Sequence, residues 1–301
     1  MGSQSNAIKV YSAPADKVYM TLVYLFTGLA TLIILVPILF IVAASFSSPE
    51  ALLSAKVFLW PVEFTTRGYS MIVEHPALMG GFRNSILYTL VGTVINVVMT
   101  ILAAYPLSRK DLPVRHVVMF LFAFTMLFNG GMIPTYLTVK DLGLLDTMWA
   151  MVIPNALAVW NVIITRTFFQ TTIPDEMLES ASIDGCDDFH FLMKMVLPLS
   201  VSIIAVNVLL YAVSHWNTYF NALMYLNKAD KYPIQLVLRD ILIQDDTAGV
   251  SMDVTKQIEK QKTRYLLQYS TIVIATLPVM CLYPLVQRYF VTGMMVGAVK
   301  G

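Results

Sequence analysis

Long apolar runs, separated by short polar stretches, set the pattern of this chain. They lie near 19–46, 84–107, 114–139, 147–169, 196–226 and 265–290. Each reaches roughly the 20 residues a helix needs to cross a bilayer's hydrocarbon layer. The runs are too long and too continuously apolar for barrel strands, and lipid satisfies no free backbone group. The pattern therefore predicts an all-α membrane protein with about six transmembrane helices.

The same pattern divides the chain into an N-terminal segment (1–18), a first helix (19–46), a loop (47–83), a core of five helices (84–290) and a tail (291–301). Polar loops interrupt the core at 171–198 and 227–264. The first run is longer than a signal-peptide core and is followed by more spans, so it reads as a retained helix. Pro37, Gly130, Gly131, Pro134, Pro154, Pro278 and Pro284 fall inside runs, where they predict kinks or close packing. They are densest around Asn129 to Pro134, which predicts a broken or bent third span.

Composition agrees: of 301 residues, 57% are hydrophobic and 13% charged. A soluble domain carries nearer a quarter charged. A net charge of +1 gives no field that would draw nucleic acid. Cys186 and Cys281 show neither a disulfide framework nor a metal spacing.

Charge also bears on orientation. The short loop after the second run carries Arg109, Lys110 and Arg115, which places it in the cytoplasm by the positive-inside tendency. The loop at 227–264 pulls the other way with Lys228, Lys231, Arg239, Lys256, Lys260, Lys262 and Arg264. The short loop is compact and lies directly against two span ends, so it decides the expectation. Both termini and 171–198 are then cytosolic, and 47–83 and 227–264 are extracellular.

None of the 19 acidic residues falls in the middle of a predicted span. That counts against a proton- or sodium-coupled carrier, whose titrating group must be reached from both sides. No phosphate-cradling Gly-x-x-x-x-Gly-Lys-Ser/Thr loop, Gly-x-Ser-x-Gly elbow or His-Glu-x-x-His helix is present, so the chain offers no catalytic residue. His75, His116 and His190 form no ligand spacing, which leaves no metal site. His215, beside Trp216 and Asn217, reads as a hydrogen-bonded packing residue.

The polar stretch from Thr171 to Leu199 is punctuated as a helix: Pro174 at the first turn, Asp175 and Glu176 where the dipole favours anions, Gly185 as a stop. It predicts about three turns on the cytosolic face, too polar to enter the bilayer. Leu178, Ala181 and Ser182 form a narrow face suited to a groove on another protein. A second start at Asp187 and Asp188 leads through Phe189 and Phe191 toward Leu197 and Pro198.

The string Glu179-Ser180-Ala181-Ser182-Ile183-Asp184-Gly185, followed by Met195-Val196-Leu197-Pro198, resembles the Glu-Ala-Ala loop of ABC importer permeases. Glu179, Ala181, Gly185, Leu197 and Pro198 match in type and spacing; Ser180 replaces Ala and Met195 replaces Ile. Asn84-Ser85, Trp216-Asn217 and the ending Gly297-Ala298-Val299-Lys300-Gly301 are similar to the second permease of maltose-type sugar importers. Phe128 to Pro134 and Ile183-Asp184-Gly185 look like permeases for larger oligosaccharides or polysaccharide fragments.

The resemblance implies a type I ABC importer transmembrane domain with a cytosolic coupling helix, in a bacterial inner membrane. It implies a heterodimer with a second permease, two ATPase domains that hold ATP and Mg, and an extracellular solute-binding protein. On that analogy Glu179 pairs with a basic group of the ATPase, Ala181 permits close approach, Gly185 makes the turn and Pro198 starts the fifth span at a fixed angle. Gly297 and Lys300 would enter the ATPase interface. For a carbohydrate path the sequence nominates Asn129, Asn155, Trp160, Asn161, Trp216, Asn217 and Tyr219, whose rings and amides suit sugars. The same groups suit interhelical packing and interfacial belts. The rival class is a secondary carrier or channel that works without an ATPase.

Overall fold

The computed structural model describes residues 14–243 and 254–295, and every extended element among them is a helix. In order these are α1 (Pro14–Ser45), α2 (Pro49–Leu53), α3 (Arg67–Glu74), α4 (Pro76–Ser108) and α5 (Arg115–Leu127). Then come α6 (Met132–Asp141), α7 (Met148–Val152), α8 (Val159–Thr172), α9 (Asp175–Ile183) and α10 (Asp188–Phe191). The last are α11 (Leu197–Leu199), α12 (Val201–Trp216), α13 (Phe220–Tyr225), α14 (Ile234–Ile243) and α15 (Val254–Met295).

Among the described residues three helices are long and apolar enough to cross a membrane unaided: 16–45, 76–108 and 261–284. Three further pairs of helices are long and apolar enough only when taken together, and each pair is bent at its break. α5 and α6 meet at 112°, the α7 and α8 segments at 52°, and Asp188–Leu199 meets Val201–Trp216 at 81°. The first break lies at the Gly130-Gly131 pair, where Gly131 takes φ +84° and the Asn129 side chain accepts its N–H. α1 and α15, by contrast, continue through Pro37, Pro278 and Pro284.

Two loop expectations need correction. The stretch 47–83 contains α2, α3 and the first two turns of α4. The stretch 227–264 contains a 3-10 turn (Ala229–Lys231), α14 and the first turns of α15, so the sixth helix starts well before 265. Apolar content marks where a helix crosses lipid; it does not mark where its hydrogen-bonded ladder ends.

The chain divides into two compact units: 1–69 with 253–273, and 70–252 with 274–301. In the first, Ala43, Ala44, Ala51 and Val57 form a small buried cluster that Tyr269 packs against, and Lys262 pairs with Glu50 at 2.6 Å. The second is organised on α4, which packs against α8, α12 and α14. Ser85, Thr89, Gly92, Thr93, Asn96 and Thr100 line the buried face of α4 together with Tyr88 and Val97, while Ile86, Leu90, Val94 and Leu102 face outward.

The ends of α4 fix two levels. At one end, the Asn84 side-chain amide donates to Asp230 O (2.7 Å) and Tyr232 O (3.1 Å), Tyr88 OH to Lys231 O, and Ile234 N–H to Ser85 Oγ. At the other, Arg166 Nε donates to Leu107 O at 2.8 Å and Gln170 to Ser108 O. Asn84 and Ser108 are about 36 Å apart at 1.5 Å per residue, enough to set the two groups on opposite sides of a bilayer.

Candidate functional site

The Ser108 end carries the predicted docking helix. Pro174 precedes α9 in extended geometry, and Lys110 from the loop after α4 forms an ion pair with Asp175 in the first turn. Above all the hydrogen bond from Lys110 holds the Asp175 carboxyl below the usual carboxylate range. The acids also face the positive end of the helix dipole.

α9 ends as the glycine predicts. Gly185 takes φ +76°, its N–H donates to Ser182 O at 3.1 Å, and Cys186 N–H donates to Ala181 O at 2.9 Å. That pair of bonds is a Schellman motif, and its left-handed position is costly for any residue with a Cβ. The chain restarts at once, with Asp187 accepting the His190 N–H at 2.7 Å as the cap of α10. This bond, with a second from the His190 ring, holds the Asp187 carboxyl low.

A wide π turn (Leu192–Val196) follows, then Pro198, and the 81° bend falls just beyond it at the buried Ser200. Proline donates no N–H, which loosens the ladder there.

Which face α9 presents differs from the expectation. Ala181 is buried, in one cluster with Ala104, Phe169, Phe191 and Val196, and Leu178 packs against that cluster. The outward surface is Glu179, Ser180, Ser182, Asp184, Gly185 and Ile183, the last 87% exposed. A nine-residue amphipathic helix lays its apolar stripe on the nearest apolar surface, here its own bundle. The small Ala181 side chain therefore lets α9 lie close to α4 and α10. Glu179 makes no ion pair among the described residues. Phe189, 64% exposed, extends the outward apolar surface beyond α9.

Between α9 and the basic loop lies a cleft of about 360 Å³ lined by Arg109, Lys110, Arg115, Gln170, Asp175 and Glu176. The predicted docking helix and the predicted cytosolic loop thus share one end of the bundle. Gly297 and Lys300 lie outside the described residues.

The seven nominated path residues lie in different settings. Asn129 caps the α5–α6 break, Trp160 and Tyr219 are exposed, and Asn161 is buried on α8. Trp216 is buried and donates to Ala275 O at 2.8 Å; Asn217 bonds back to Val213 O. Asn155 sits at the break between α7 and α8, where side chains replace the missing ladder: Asn96 donates to Asn155 O at 2.9 Å, and Ala158 N–H donates to Tyr211 OH at 3.2 Å. The sequence pattern singles out neither Asn96 nor Tyr211 for the path. The signal that could have found Asn96 is the regular spacing of small polar residues along α4.

Residues 76–296 match the family described as "Binding-protein-dependent transport system inner membrane component". The chain is 41% identical over 287 residues to the polygalacturonan/rhamnogalacturonan transport system permease protein YtcP of Bacillus subtilis (strain 168), covering 95% of this chain and 99% of that one. It is 39% identical over 292 residues to protein LplC of the same organism, covering 97% and 98%. A crystal structure of a bacterial ABC transporter involved in the import of the acidic polysaccharide alginate contains a chain similar in fold, with TM-score 0.84, 32% identity and coverage of 93% and 99%. The chain belongs to the family of inner-membrane components of binding-protein-dependent transport systems.

Proposed function

We propose that this chain is the permease subunit of an ABC importer that carries a carbohydrate, an oligosaccharide, into a bacterial cell by alternating access. The observation that carries the reading is α9: its apolar side is seated on the bundle, its end is locked by Gly185, and Glu179 and Ile183 are left outward for a partner. Relatives named for polysaccharide transport support the substrate class.

The energy source lies in a separate ATPase pair that holds ATP and Mg, since this sequence carries no phosphate loop. α9 docks on that ATPase, with Glu179 pairing a basic group there. The Arg109, Lys110 and Arg115 end is cytosolic, together with both termini, and the Asn84 and Asp230 end faces the solute-binding protein. A second permease completes the pore.

The test uses the assembled importer in proteoliposomes. Glu179→Ala and Gly185→Arg chains should insert and assemble normally yet lose sugar uptake driven by ATP. Uptake at the unaltered rate in both would overturn the docking role, and full uptake by the chain without any ATPase would overturn the importer reading.

A further inference from the structure

At mid-depth, hydrocarbon offers no hydrogen bonds, so polar side chains that the protein leaves unpartnered there require water or a ligand. Asn96 lies midway along α4 between Asn84 and Ser108, about 18 Å from each at 1.5 Å per residue. Beside it a cavity of about 240 Å³ opens among α4, the α7–α8 break, α12 and α13.

Four of its lining residues, Asn155, Ser214, Thr218 and Asn221, make no side-chain hydrogen bond among the described residues. Deeper in, Asn96 Oδ1 and His215 Nε2 also lack partners, on residues only 2% and 6% exposed. Tyr211 differs: its hydroxyl is shared with Thr100 (2.7 Å) and the Ala158 N–H, so its role is to brace the break.

The chemistry of this wall is selective. It holds amides, hydroxyls and an imidazole, which between them donate and accept, next to the apolar Met151 and Leu157. Among the described residues no Lys, Arg, Asp or Glu lines it, so a charged group finds no counter-ion there. A sugar ring matches both properties. Its hydroxyls donate and accept in equal measure, and its C–H faces are apolar. The broken span supplies the irregular, side-chain-satisfied backbone that membrane proteins place only where it is buried or lines a cavity.

We infer that this cavity is a subsite for one sugar ring of the transported carbohydrate, held through its hydroxyls, so that this subunit itself touches the cargo. The inference rests on the permease reading above. Asn155, Ser214, Thr218 and Asn221 bind the ring first, and Asn96 and His215 engage it as the deeper wall moves during access switching. A carboxylate on the cargo points out of the cavity.

The experiment uses the assembled importer in proteoliposomes, with oligogalacturonides and neutral galacto-oligosaccharides as separate probes. Ser214→Cys, in a Cys186→Ser and Cys281→Ser background, is modified with a thiol reagent while hydrolysis is arrested with vanadate. An imported probe at ten times its half-saturating concentration should slow modification about tenfold. Asn221→Leu exchanges one amide of the wall for an apolar group without breaking a protein hydrogen bond, and should raise the uptake KM about tenfold.

If the unaltered importer takes up a probe, yet Ser214→Cys reacts equally fast with and without it, the cavity holds water only and the inference falls. It falls equally if Asn221→Leu imports at the unaltered KM. If the unaltered importer takes up neither probe despite active ATPase, the carbohydrate reading falls, and the inference with it.

Discussion

Helices α1 and α4 have 32 and 33 residues, and both are apolar enough to span a membrane. Yet among the described residues none of the apolar stretch of α1 is buried, whereas a third of that of α4 is. Hydrophobicity does not separate them; the placement of small polar residues does. On α4, Ser85, Thr89, Thr93, Asn96 and Thr100 recur on one face, and Ser85, Asn96 and Thr100 bond across to Ile234 N–H, Asn155 O and Tyr211 OH. On α1, the Thr21 and Thr31 hydroxyls turn back to Lys17 O and Thr27 O of their own helix. In lipid there is no hydrophobic drive between helices, so close packing and hydrogen bonds decide which helix becomes core.

The strongest way to break this contrast is a pair of identical substitutions. A Cβ at Gly92 of α4 would collide with the His215 ring, whereas at Gly28 of α1 no described residue lies within 4 Å. Gly92→Leu is expected to destabilise the chain by at least about 1–3 kcal/mol and to prevent bundle formation in detergent. Gly28→Leu should leave the thermal midpoint of the isolated chain unchanged. Equal losses from both would show that α1 is as tightly packed as α4.

A smaller effect is expected from deleting one hydrogen bond. Asn207 donates to Thr165 Oγ1 at 2.7 Å between α12 and α8. Asn207→Leu should lower stability by about 0.6–2 kcal/mol in a thermal melt, while Thr31→Val on α1 should cost nothing measurable.

Smaller again is Gly185→Ala, which places a Cβ at φ +76°. It should cost about 1–2 kcal/mol, confined to α9, and should appear as faster amide exchange of Asp184 to Asp187 with the global melt unmoved.

The smallest effect is a pH response at the same end. Asp175 is depressed by Lys110, so the pair stabilises the fold above the ordinary carboxylate pKa and loses that contribution as pH falls through the lowered value. Asp175→Asn should reduce stability slightly at pH 7, by an amount that shrinks as pH falls below the ordinary carboxylate range; the pair is exposed, so screening keeps the difference small.

These contrasts also explain what was legible in the sequence. The stop at Gly185 and the break at Gly130-Gly131 could be read directly, because glycine signals a backbone conformation that few other residues adopt. The inward face of α9 could not, because Leu178 and Ala181 suit a partner's groove and the chain's own bundle equally well. The Asn155 break was signalled only by Pro154; what stabilises it, Asn96 and Tyr211, lies far away in sequence. The stripe on α4 was visible as spacing, but its meaning depends on the solvent. In water, Ser85, Thr89 and Thr93 would mark an outer face.

The hydrogen bonds that tie Asn84, Ser85 and Tyr88 to Asp230, Lys231, Tyr232 and Ile234 join positions 143 to 149 residues apart. At about 5–20 residues per second, the ribosome needs roughly 7–30 s to supply those partners after α4 has emerged. During that interval the Asn84 end of α4 lacks these partners, so its assembly is timed by translation, and slowing the ribosome before Asp230 lengthens the window in which other chains or quality-control proteases can engage it.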